Sequence, residues 1–130
     1  MKHQRPPSIA DFEALAAAVW HEIPQVLRQS CDGVVIRVVD WPDDDTLDEM
    51  GLESAYDLLG LYRGVDLVRR SVYDVRQDVD MIFLYRRPLL EYWAETGSPL
   101  GELVRHVLVH EIGHHFGFSD ADMERIENED

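Results

Sequence analysis

The segment HVLVHEIGHHFGFSD, residues 106–120, gathers side chains that can bind a metal and move protons. It holds four of the chain's six histidines. Within it, HEIGH at 110–114 places two histidines four residues apart, with an acid beside the first. On a helix, residues four apart lie about 40° apart around the axis and one turn along it. His110 and His114 would then point the same way and could hold one ion between them. Glu111 would reach a water bound to that ion. Such a water, on a zinc ion with an open position, has its pKa lowered to about 7. Glu111 can take its proton as the water attacks a carbonyl, and then deliver that proton to a leaving amine. The chemistry this spacing suits is amide hydrolysis.

Two histidines are too few to hold the ion, so a third ligand is required. The pattern continues through Gly117 to Asp120, giving H-E-x-x-H-x-x-G-x-x-D, with Asp where the extended pattern ends in His. Gly117 allows a sharp turn after the helix, which can bring Asp120 back to the metal, and a carboxylate oxygen is an acceptable zinc ligand. Glu124 or Glu127, on a following helix, are the alternatives. The five-residue core of the motif recurs by chance in unrelated proteins. Here an apolar helix (Leu103, Val104, Val107, Leu108), the glycine and the acid at the third-ligand spacing accompany it. His106 shares the stripe but lies about 12 Å along the axis from His114, so the two cannot share an ion. It reads as packed or solvent-facing. His115 points off the stripe, as a surface or supporting residue.

Several elements must position this helix. Ser8 can cap a first helix, with Asp11 completing a capping box, and Ile9, Phe12, Leu15, Ala16, Val19 and Ile23 follow at helical spacing. Pro24 should kink that helix or open a second. GVVIRVVD at 33–40 reads as a strand. The stretch from Asp40 to Asp57 carries eight acids and no base, and reads as a solvated loop with room for one helical turn. It lacks the alternation and glycine of a calcium loop. DLLGLYRGVDLVRRSVYD reads as a strand, a turn near Gly64 and a return segment, and VDMIFLYRR as a further strand. A short helix over 88–95 should stop at Gly97. Ser98 can cap the motif helix, with Pro99 in its first turn. A terminal helix is expected over 121–130. Residues 1–8 read as a flexible tail, and 9–130 as one domain.

The bulk composition restricts the partners. A net charge of −14 argues against nucleic acid and anionic membrane surfaces, which need clustered Lys and Arg. The acidity reads first as a source of solubility, and in its sharper reading as an attraction for basic substrates or partners. Cys31 is the single cysteine, so no disulfide within the chain and no Cys-rich zinc site can form. It reads as a packed bystander. With no signal-like apolar run at the start and no membrane-length stretch, the expected location is the cytoplasm.

The chain resembles the small bacterial zincin-like metallopeptidases, the minimal zincins, from about Ile9 onward. The resemblance rests on VVIRVVDWP, LLGLYRG, IFLYRRPLL and above all HVLVHEIGHHFGFSDADMERIE. It implies an α+β fold, with a small mixed sheet packed against an N-terminal helix and a C-terminal active-site helix. It also implies Zn2+ held by His110, His114 and Asp120, with Glu111 as general base and a peptide or unfolded protein segment as substrate. Larger relatives carry a methionine turn beneath the metal; only ten residues follow Asp120 here, and Met123 comes early for that role. They also carry a further subdomain forming the far wall of the cleft, which this length does not provide. The alternative function is a weakly active or inactive zinc-binding protein that serves as an interaction module. Either VDMIFLYRR at 79–87 or LLGLYRG could be the edge strand that pairs with an extended substrate, and Tyr62, Tyr85 and Arg86 are candidates to stabilise the oxyanion.

Overall fold

A computed structural model describes residues 5–31, 33–64 and 80–129. The expected return segment after Gly64 falls largely on 65–79, outside the described residues. Helix α1 (Ile9–Trp20) begins where the sequence indicates. Ser8 Oγ accepts from the Asp11 N–H, and Asp11 in turn accepts from the Ser8 N–H. Pro24 does not kink α1 but opens a second short helix, α2 (Gln25–Gln29). The chain is anchored even before α1. Pro7 is fully buried, and its carbonyl accepts a 2.7 Å hydrogen bond from Arg86 Nε.

Strand β1 (Val35–Val39) is the β-branched run anticipated from the sequence. The acid-rich stretch that follows departs from the expected loop. It forms a seven-residue helix, α3 (Asp44–Met50). Asp43 caps it by accepting from the Thr46 N–H at 2.8 Å, Asp44 and Asp45 lie in its first turn, and Gly51 ends it at φ +69°. Carboxylates that look merely solvated in sequence are favourable at a helix start, where free N–H groups and the positive end of the dipole converge.

Strands β2 (Gly60–Arg63) and β3 (Met81–Tyr85) complete a three-stranded mixed sheet in the order β1-β3-β2. β1 runs parallel to β3, and β2 runs antiparallel to it. Helix α4 (Arg86–Thr96) begins directly after β3, two residues earlier than expected. Pro88 is accommodated in its first turn, where its missing N–H would have had no helical partner. Gly97, at φ +71°, ends it as anticipated. Pro99, not Ser98, holds the cap position of α5 (Leu100–His115), and no side chain caps it. Helix α6 (Asp120–Glu129) follows. The described residues thus form an α+β fold of six helices and a small mixed sheet.

One face of the sheet presents Val38, Tyr62, Ile82 and Leu84 to the helices. Against it pack Phe12, Ala16 and Val19 of α1, and Val104, Leu108 and Ile112 of α5. Phe12, Leu84, Leu108 and Ile112 are wholly excluded from solvent. Full burial of each such side chain contributes about 1.5–3 kcal/mol. The motif helix is therefore a central core element whose far end carries HEIGH. No helix among the described residues is long and apolar enough to cross a membrane.

Candidate active site

Helix α5 buries Leu103, Val104, Val107, Leu108 and Ile112, and the rotation this fixes leaves His110 and Glu111 half-buried and His114 exposed. The imidazoles of His110 and His114 stand edge-on, with ring centroids 5.7 Å apart and planes 89° apart. The helical spacing thus brings this pair together as the sequence predicts. His106, exposed one turn before, has its ring 4.1 Å from that of His110.

Glu111 is held by a group that no residue type advertises. Its Oε1 accepts a 3.2 Å hydrogen bond from the backbone N–H of Tyr62. Leu59 offers its carbonyl to Tyr85 of β3, so the alternation of an antiparallel pair turns the backbone groups of Gly60 and Tyr62 outward, toward α5. The outer edge of β2 therefore lies beside the HEIGH helix. Gly60 makes the approach possible, because a Cβ there would sit 2.7 Å from Val107 Cγ1 and 3.0 Å from the Phe83 carbonyl oxygen. Burial raises the Glu111 pKa above the ordinary carboxylate value, and the Tyr62 N–H and the charges of His114 and His110 partly oppose that shift.

The end of α5 is a Schellman turn. Phe118 N–H reaches the Gly113 carbonyl at 2.9 Å, Gly117 N–H reaches that of His114 at 3.2 Å, and Gly117 adopts φ +81°. The left-handed glycine is where the motif requires it. Ser119 then caps α6 in a second capping box with Asp122, whose carboxyl the Ser119 N–H and hydroxyl hold below its ordinary range. Asp120 is the first residue of α6, and its side chain, like that of Glu127, lies outside the described part of the structure. Glu124 is exposed on the next turn. Among the described residues no group of three metal-binding side chains converges.

Met123 supplies the packing beneath the motif that the sequence left unassigned. It is 1% exposed, and its thioether fills the space that a side chain at position 113 would need. Gly113 inside HEIGH is thereby explained. Two of the three oxyanion candidates are committed elsewhere, and the third is buried. Tyr62 Oη donates to Asp80 Oδ2 at 3.2 Å. Tyr85 is 3% exposed, and burial pushes its hydroxyl up to about 12. Arg86 bonds the Pro7 carbonyl and Asp40. Cys31 is buried as anticipated, with its thiol pushed up to about 11 by burial.

The sequence profile of the zincin-like metallopeptidases matches residues 31–129, which contain the sheet, β2's contact with Glu111 and the whole HEIGH helix. The chain belongs to the zincin-like metallopeptidase family. The match begins at Cys31, so the zincin-like region runs from just after α2, and α1 and α2 precede it. None of the curated proteins matches the chain in sequence. Within the zincin-like region the sequence signals missed two features, the Tyr62 N–H and the seating of Met123. The Ser119–Asp122 spacing was available as a capping signal for α6.

Proposed function

We propose that this protein is a zinc-dependent peptidase in which His110, His114 and Asp120 hold the metal and Glu111 is the general base. The observation that carries the reading is the placing of Glu111: beside two imidazoles one helical turn apart, half-buried, and fixed by a backbone N–H from an edge strand. The donor set suits zinc. Imidazoles bound through nitrogen at 2.0–2.1 Å to one tetrahedral ion have ring centroids about 5–6 Å apart, and the observed pair fits that separation. Asp120, opening α6 directly after the Gly117 turn, is the third donor in this reading, and Glu124 is its rival.

When bound, zinc supplies an acidified water and polarises the scissile carbonyl. Glu111 accepts the water's proton on the carboxylate oxygen that Tyr62 does not hold, and passes it to the leaving amine. The outer edge of β2 does not offer an extended peptide a full ladder, because Gly60 abuts Val107 and Glu111 takes the Tyr62 N–H. β3 cannot serve, because it is the central strand and is paired on both sides. The charge of −14 favours basic peptides.

The test is cleavage profiling of a diverse peptide library by zinc-loaded protein, beside the Glu111→Gln variant. Cleavage by the parent alone is expected. Equal cleavage by both would remove Glu111 as the base. No cleavage by the parent would shift the reading to a zinc-binding interaction module.

A further inference from the structure

His115 follows the metal-binding stripe by one residue and points away from it, yet its ring is closely held. It stacks on the Tyr62 ring with centroids 3.8 Å apart and planes 16° apart. Phe116 stands edge-on to both, 4.8 Å from His115 and 5.9 Å from Tyr62. On another side the imidazole occupies the place that a Cβ at residue 64 would take, so a glycine is needed there. Tyr62 is itself pinned. It is 8% exposed, and its hydroxyl donates to Asp80. A single residue of β2 is thus fixed at three points. Its hydroxyl is tied inside the core, its ring lies on His115, and its N–H is on Glu111.

This matters because β2 is short. Four residues bonded to β3 along one edge do not by themselves fix the distance from the other edge to a neighbouring helix. The stack ties that edge to the last turn of α5, one turn from Glu111. Gly64 and His115 form a matched pair, in which the missing side chain of one admits the ring of the other.

We propose that His115 is a positioning residue for the general base. By clamping Tyr62, it sets where the Tyr62 N–H meets the Glu111 carboxylate, and so fixes the edge strand against the catalytic helix. The catalytic consequence rests on the peptidase reading; the clamp does not.

The test is amide hydrogen exchange followed by NMR on zinc-loaded protein without substrate. The Tyr62 N–H reports its bond to Glu111, and Glu111→Ala gives the rate without the acceptor. In His115→Ala the Tyr62 amide should exchange about ten-fold faster or more, while core amides of α5 keep their protection. Gly64→Ala should do the same by displacing the ring without deleting it, and it carries the test if His115→Ala fails to fold. His115→Phe, which keeps a flat ring for stacking, should retain the parent rate. An unchanged Tyr62 rate in His115→Ala or Gly64→Ala, or exchange in His115→Phe as fast as in His115→Ala, would overturn the clamp. On a cleaved peptide, kcat should fall in the two disrupting variants and recover with Phe. If the parent cleaves no peptide, the peptidase reading fails, and the exchange rates still decide the clamp.

Discussion

The two outer strands of the sheet meet their neighbours in different ways. β1 faces the N-terminal helices, and its flank is built from side chains: Val38 beneath Phe12, Ala16 and Val19. β2 faces the motif helix, and its flank depends on close approach of main chain. Gly60 lies against Val107, Gly64 against His115, and the Tyr62 N–H against Glu111. Side-chain packing absorbs small changes by local adjustment, whereas a backbone contact has no such slack. The β1 side should therefore tolerate substitution, and the β2 side should not.

The sharpest contrast is chemical. Glu111→Gln should lower peptide cleavage by roughly 10²–10⁴-fold and retain zinc, as read by metal content after dialysis. Asp120→Ala should weaken zinc by at least about 100-fold in a chelator competition. Affinity within about two-fold of the parent would move the third donor to Glu124. Next comes a matched pair of strand substitutions. Gly60→Ala should cost about 1–3 kcal/mol in denaturant unfolding, because the new methyl meets a backbone carbonyl. Val35→Thr, on the exposed side of β1, should stay within about 0.5 kcal/mol. Equal costs would dissolve the contrast between the strands. Smaller still are the two capping boxes. Ser8→Ala and Ser119→Ala should each cost about 1 kcal/mol, but only the second should also weaken zinc, since it loosens the start of α6.

A pH effect closes the series. Burial raises the Glu111 carboxyl, so in metal-free protein its ionised form opposes folding. That opposition is absent below the unfolded-state pKa and complete above the folded one. Glu111→Gln should accordingly raise the Tm of metal-free protein at pH 7 and give no gain near about pH 3.5. A gain independent of pH would show that burial of the charge is not its source.

What could be read in the sequence follows the same division. α1, β1 and the HEIGH helix were legible because periodicity and caps are local signals. The left-handed Gly117 was legible because a motif demanded it. α3 was misread because a run of aspartates looks alike whether it is solvated or caps a helix. The start of α5 was misplaced by one residue because Ser98 has the right type but Pro99 takes the cap position. The partner of Glu111 was hidden for a deeper reason. It is a backbone N–H, 49 residues away in sequence, and every residue but proline carries one. The stacking partner of His115 is hidden likewise, since neither ring marks the other.

The turn between α5 and α6 has one more consequence. Both of its hydrogen bonds are used, its glycine is left-handed, and only four residues separate the two helices. This connection acts as a ruler. One residue more or less would turn α6 by about 100° relative to α5 and carry its first residue to another side of the motif. Across descendants of such a chain, the count of residues here should be kept more strictly than their identity.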